Sequence, residues 1–490
     1  MPSFLNLHLI NLWIYWLLNL ILTKFIIMMN RKGKRMNVVK AFCLFTLLSC
    51  FIGCKDDEKK KEQSYNNNLP IEIVGFEPQK VTPRTQLLIY GKNFGNDPSL
   101  INLKLGGVAT KVVGCNNECL YCMVPRNSDK GTIELSIGEQ TAMASDLFTY
   151  VSNTQVSTLC GYVDETGRYE VKDGSFSECG LSTPTWLTID PKNPHHIYMI
   201  EDKNSIRLID TEAEELSTVA TIGRLNIQDP RSLCWSLTGD TLFVSNYSAS
   251  EAPITVTMLF RNEGFKQAHP LFSGYKWVIS ATIHPKTGDI YFAQESDATI
   301  KRYNMATKTV ETMFTVGGSW VWMYTYFHPS GDYAYVVRPR NYLVTKCQFN
   351  KATNQLEIPS VFVGNWNSGC NEGVGMGATL GALWQGTFVM NKDYVEQGKE
   401  DIYDFYMTDG ELWGNHPGDL IWQITPSAEA IRYAGRGSVA MDNNHYGYVD
   451  GDLLQEARFN GPHSIAYDEV NKIFYIGDVY NHRIRQIIVE

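Results

Sequence analysis

Helix-period hydrophobic patterns are scarce in this 490-residue chain. Their scarcity excludes a mainly helical framework, because an amphipathic helix needs an apolar residue every three or four positions. Cysteine is thin as well. Beyond residue 54 only Cys115, Cys119, Cys122, Cys160, Cys179, Cys234, Cys347 and Cys370 remain, too few over this length for a dense disulfide scaffold. Cys115, Cys119 and Cys122 have metal-like spacing, but no fourth Cys or His lies close in sequence, and structural zinc takes four ligands. A local disulfide or free thiols are the expectation there. No Ser-His-Asp order, paired-carboxylate motif or Gly-rich phosphate loop stands out, so the sequence argues against an enzyme and implies no cofactor. Acidic residues are absent from the first 54 positions, which hold six basic ones. The remainder carries 37 basic and 52 acidic residues, a net charge of −15. Such a surface repels phosphate backbones and anionic lipid, which excludes nucleic acid as a partner.

What is present begins with a leader. Arg31, Lys32, Lys34, Arg35 and Lys40 precede an apolar segment from Ala41 to Ile52, then Gly53-Cys54, then the charge run Lys55 to Glu62. The apolar part is too short to span a bilayer. The pattern resembles a bacterial lipoprotein signal, with Cys54 as the lipidated residue and Cys50 as a competing match. The charge run resembles the surface-export signal of Bacteroidetes lipoproteins, which implies a cell-surface, outer-membrane location on a lipid anchor. Residues 1–28 are a second apolar stretch, expected to be untranslated sequence upstream of a start at Met29 or Met36, with a transmembrane anchor as the alternative. The leader is therefore 1–54. Residues 55–69, charged and then Asn-rich, have nothing to bury and are expected to be a flexible tether.

Tyr, Phe, Trp, Val and Ile recur in short runs between turn residues, so the rest is expected to be all-β. In residues 70–152, runs such as Leu87–Tyr90, Val108–Thr110 and Ile133–Ile137 alternate and are broken by glycines, the signature of a β-sandwich. Gly91/Asn93/Phe94/Gly95, Val124/Pro125 and Phe148/Tyr150 resemble the IPT/TIG immunoglobulin-like family.

Residues 153–490 repeat. Pro184–Asp190, Pro230–Ser236 and Pro462–Asp468 share one frame, and the runs ending at His284 and His328 fit it. The turn positions 190, 236, 284 and 328 lie 46, 48 and 44 residues apart. That is the spacing of four-stranded blades, and an enlarged blade between 328 and 468, with Asp393–Asp401 as an insertion, brings the count to a six-bladed β-propeller. Val156–Gly161 is expected to pair with the last strand, Ile484–Val489, so that no edge is left open. His284 and His328 take the place of Asp190 and Asp468 at the turn, so they are expected to cap it. Asp468…Asp478…Arg483-Ile484-Arg485 resembles an NHL repeat, and Asp190…Asp202…Ile206-Arg207 is a shorter match. The whole chain resembles the IPT/TIG plus NHL-repeat surface lipoproteins of Bacteroidetes glycan-utilisation loci. That resemblance implies a glycan ligand, and as partners an outer-membrane oligosaccharide importer with its own lipoprotein partner.

The candidate site is aromatic. Trp186, Trp277, Trp320, Trp322 and Tyr324 lie near blade entries and Trp366, Trp384 and Trp413 in or beside the enlarged blade, and flat rings stack on the C–H faces of sugars. Arg231, His463, Asn365 and Asn367 are candidates to read hydroxyls. A protein-interaction scaffold and a propeller-fold carbohydrate lyase or lactonase remain alternatives.

Overall fold

The computed structural model describes residues 64–82, 85–125, 128, 131–150, 154–202, 204–410, 418–437 and 445–489. Cys54, both apolar leader stretches and Trp413 lie outside these residues. Contacts divide the chain between Asn66 and Asn67, and the fold belongs to the second unit, Asn67–Glu490. Among the described residues no helix is long and apolar enough to cross a membrane.

Nearly every regular element is a strand. The first part has two four-stranded antiparallel sheets. One orders Glu72–Glu77, Gln86–Lys92, Cys119–Met123 and Val112–Asn116, and the other Val108–Thr110, Ile101–Leu105, Ile133–Ile137 and Gln140–Met143. Alternate residues of these strands, among them Leu87, Ile89, Leu103, Leu105, Leu120 and Leu135, are buried. The Gly-Asn-Phe-Gly turn has a steric reason. A Cβ on Gly91 would sit 2.1 Å from the Phe94 ring, so glycine makes room for a buried phenylalanine. The Asn67 and Leu69 carbonyls accept hydrogen bonds from Gln140. All eight described cysteines are free thiols, and burial pushes Cys122 up to about 12.

Six further sheets follow, each of four or five strands. Their first strands are β1 (Pro184–Asp190), β2 (Pro230–Trp235), β3 (Val278–Ile283), β4 (Tyr324–Phe327), β5 (Ala382–Met390) and β6 (Pro462–Asp468). Each of these contacts the next, and β6 contacts β1. Side chains fasten every one of these junctions to a neighbour's backbone. Trp186 Nε1 donates to Leu233 O (3.0 Å), Ser232 Oγ accepts from Ala281 N (2.8 Å), and Ser280 Oγ donates to Met323 O (2.8 Å). Tyr326 Oη donates to Trp384 O (3.0 Å), Gln385 Oε1 accepts from Ile465 N (3.3 Å), and Ser464 Oγ donates to Pro184 O (2.8 Å). Gln155–Cys160 pairs antiparallel with Arg483–Ile488, Val156 facing Ile487, as the sequence leads one to expect. An early strand thus joins the sheet that ends the chain.

The turn residues act as caps. Asp190 and Asp468 accept backbone N–H groups two residues on, and His284 Nδ1 accepts from Lys286 and Thr287. His328 Nδ1 likewise accepts from Ser330 N.

Buried ion pairs replace one expectation. Fully buried Arg485 bonds Asp478 (2.8 Å) and Asp450 (2.5 Å). Its counterpart Arg207 meets Glu201 (3.0 Å) and Asp173 (2.9 Å), so the NHL-type acid in that sheet is Glu201, not Asp202. The strand register explains the difference. Glu201 pairs with Ser205 at the end of the ladder and points inward, while Asp202 has left it. In the fifth of these sheets the Trp422 indole N–H donates to Asp409 in place of a guanidinium (2.8 Å). Burial then raises that carboxyl to about 7. Removing one partner of a buried pair strands the other in low dielectric. Arg485→Met is therefore expected to cost about 3–5 kcal/mol in denaturant unfolding. An unchanged midpoint would show that the pair holds nothing together.

Candidate functional site

The first strands all begin at one end of the six-sheet assembly, and a cavity of about 120 Å³ lies among their starts. Its lining takes Thr185 and Trp186 from β1, Arg231 from β2, Tyr324 from β4, Trp384 and Gln385 from β5 and His463 from β6, together with Asp202. Five expected site residues, Trp186, Arg231, Tyr324, Trp384 and His463, therefore meet around one opening. Asp202, Thr185 and Gln385 were not foreseen. Asp202 was assigned a structural role, and Gln385 is recognisable only once β5 and β1 lie opposite, where it exchanges two hydrogen bonds with Leu187 (2.9 and 2.7 Å).

The rings do not form one open platform. Trp186 and Tyr324 are core residues, 7% and 5% exposed, with Trp186 spanning to the next strand through its N–H. Burial alone accounts for most of the rise in the Tyr324 phenol above its ordinary range. Trp384 is covered on one face by His463 (centroids 4.0 Å apart, 25°) and lies 5.6 Å from Trp322. Trp322 is in turn capped by Arg340, whose guanidinium carbon sits 3.9 Å from the ring centroid, a cation–π contact. These rings wedge between strands instead of offering faces to a ligand. Their size and the inward start of each strand explain why.

Glu295 ties this group to a second one. It is 2% exposed, its Oε1 accepts from Trp322 Nε1 (2.6 Å), and its Oε2 accepts from Tyr247 Oη (2.7 Å). Tyr247 packs edge-on against Trp277 (5.0 Å), and Trp277 against Trp320 (5.5 Å). Arg231 lies over the Tyr247 ring (4.9 Å) and is paired with Asp229 (2.6 Å). Nothing local in the sequence marks Glu295, because its two donors come from segments of two other sheets.

Two tryptophans do present their faces. Trp320 is 49% and Trp366 51% exposed. Both are held in left-handed backbone, φ 59° and 64°, and Trp277 shares that conformation at 56°. A bulky residue with positive φ is strained, and such strain gathers at functional positions. Trp277 and Trp320 stand just before β3 and β4. Trp366 follows Val363, which is level with the start of β4: Tyr324 faces Val337, Val337 faces Val344, and Val344 faces Val363. It therefore emerges at the same end as Trp320, although no ring contact joins it to the others. Asn365 and Asn367 flank it and are occupied with their own loop, Asn365 Nδ2 donating to Met376 O (2.9 Å).

Six repeated sheets with a small cavity and two exposed indoles at one end define an all-β repeat protein, and the comparisons agree in fold. An IPT/TIG domain model matches residues 70–152, and an NHL repeat model matches residues 459–487. Among curated proteins none matches the chain. An auxiliary nutrient binding protein from Bacteroides thetaiotaomicron is similar at 35% identity, over 86% of this chain and 99% of that one, with a TM-score of 0.65. Another auxiliary nutrient binding protein, from Bacteroides ovatus, is 29% identical over 87% of this chain and 100% of its own, with a TM-score of 0.70. A further Bacteroides thetaiotaomicron protein, which bears the name of a phosphatase, is 29% identical over 87% and 98%, with a TM-score of 0.66. The chain belongs to the family of IPT/TIG and NHL-repeat proteins that includes the Bacteroides thetaiotaomicron auxiliary nutrient binding protein.

The Glu295 link is open to test. Glu295→Ala removes the buried acceptor of two half-buried donors at once and is expected to destabilise the protein by about 1–3 kcal/mol, read in chemical denaturation together with a shift in tryptophan fluorescence. Unchanged emission and stability would mean that the two aromatic groups are independent.

Proposed function

We propose that this protein binds a saccharide nutrient at the rim where its first strands begin, and that it does so as a carrier of ligand, not as a catalyst. The six sheets are the blades of a six-bladed propeller, a reading supported by the contact of β6 with β1 and by the shared last sheet. The observation that carries the function is the pair of exposed indoles, Trp320 and Trp366, fixed in strained backbone at the same end as the rim cavity. A flat apolar face matches the C–H face of a sugar ring, and polar groups beside it can take the hydroxyls. The cavity is too small to enclose a chain of sugars, so a glycan would lie across the rim with one unit reaching in. The auxiliary nutrient binding function of the relatives supports this reading.

The leader supports an address. With Cys54 lipidated, the molecule would stand on the cell surface, the IPT/TIG sandwich holding the propeller away from the outer membrane, and would hand its glycan to an outer-membrane oligosaccharide importer and that importer's lipoprotein partner. The net charge of −15 on the part after the leader favours neutral over anionic glycans.

Affinity electrophoresis against a panel of neutral polysaccharides tests the rim. Loss of one stacked ring is worth about 0.5–1.5 kcal/mol, so Trp320→Ala and Trp366→Ala are each expected to weaken retardation about threefold to tenfold. The double variant is expected to weaken it further while melting like the parent. Retardation that survives the double variant unchanged would remove the indole rim from the site.

A further inference from the structure

A larger cavity, of about 290 Å³, lies between the fifth and sixth of the repeated sheets. It is at the opposite end of the first strands from the rim. Trp384 and His463, near the starts of β5 and β6, face the rim cavity, while Val389, Met390 and Tyr467, near their ends, line this one. From Trp384 to Met390 is roughly 20 Å of extended chain. The two cavities are therefore separate.

Its walls are aromatic. Phe474 packs against Tyr406 (4.8 Å), Tyr433 (5.7 Å) and Tyr467 (4.5 Å), and Tyr406 meets Tyr433 edge-on (4.9 Å). All four rings line the cavity, and none of the three phenol hydroxyls has a hydrogen-bond partner among the described residues. The three tyrosines are half-buried, and their hydroxyls are left for solvent or a ligand to meet.

A buried carboxylate completes the set. Asp404 is 1% exposed, and its Oδ2 accepts from Asn391 Nδ2 (2.8 Å) and Gln423 Nε2 (2.7 Å). Its Oδ1 is also buried, with the Tyr394 phenol close to the carboxylate. The Tyr394 phenol, on the short helix Lys392–Glu396, is raised to about 12 by burial and then by this carboxylate. The carboxylate, Asn391 and Gln423 make this part of the wall polar beside the rings.

Charge selects the ligand further. Lys392 and Lys472 also line the cavity, opposed by Asp393 and Asp404, and Lys472 is engaged by Glu469 (2.7 Å). The charges balance, which disfavours both an anionic and a cationic ligand. An uncharged molecule that stacks on rings and donates hydroxyl protons fits this chemistry. The volume is at the lower end of the range of about 300–1,000 Å³ found for small-molecule sites.

We propose that the cavity bounded by Tyr406, Tyr433, Tyr467, Phe474 and Asp404 is a second saccharide site, for a neutral sugar unit, which makes the protein bivalent toward a glycan. The inference rests on the rim reading for its ligand class, but not for its geometry. Two linked sites raise the effective concentration of one chain at the other, so a long glycan would be held more tightly than a short one.

Isothermal titration with neutral malto-, cello-, manno- and xylo-oligosaccharides tests it, using the whole protein and the rim variant Trp320→Ala/Trp366→Ala. The parent is expected to bind two short oligosaccharides and the rim variant one. Adding Tyr467→Ala or the shape-preserving Asp404→Asn to the rim variant is expected to weaken that remaining site about tenfold, with thermal melting confirming the fold. A parent that binds one sugar, with binding abolished by the rim variant, overturns the second site and leaves the rim reading intact. Residual binding that neither Tyr467→Ala nor Asp404→Asn changes also overturns it. A parent that binds none of the sugars overturns both.

Discussion

Six short strands are held to one another by side chains that reach a neighbour's backbone, and the rest of the molecule depends on that circuit. Three serines, a tyrosine, a tryptophan and a glutamine each make one such link, from Trp186 on β1 around to Ser464 on β6 and back to Pro184. A single link of this kind contributes only about 1 kcal/mol net. Their importance is geometric, since each fixes the height of one strand against the next. With heights fixed, all six strands start at the same level, and the residues just before or within those starts converge. The rim cavity and the place of Trp320 are consequences of that levelling, while Trp366 reaches the same end from the outer strand Ser360–Val363.

Local pattern made much of this legible. Alternating runs between turn residues identify the strands of both parts, and the recurring frame from proline to a capping Asp, Ser or His locates the first strand of five sheets. The pairing of Gln155–Cys160 with Arg483–Ile488 could be foreseen because the last strand lacked an outer partner and an early strand had the same character. The capping work of His284 and His328 followed from their exchange with Asp in the same column.

What escaped the sequence is contact between sheets. Position in a repeat says that Trp186 and Tyr324 stand near the opening, but only packing decides that they fill the space between strands while Trp320 and Trp366 remain uncovered. Glu295 could not be identified because its two donors, Trp322 and Tyr247, lie 27 residues after it and 48 before it, on other sheets. The choice between Glu201 and Asp202 as the partner of Arg207 turns on which of two adjacent acids still belongs to the ladder, a matter of one residue in register. Polar residues at the far ends of β5 and β6 gave no signal at all, since the cavity they share exists only once those two sheets are neighbours.

The central claim is that Trp320 and Trp366, at the end where the first strands begin, meet a sugar. A crystal structure of the protein soaked with a neutral oligosaccharide addresses it most directly. The account predicts sugar rings stacked on those two indoles, with one unit directed toward Arg231, Asp202 and His463. Density for the sugar on the sandwich, or at the repeated sheets with both indoles left bare, would contradict it.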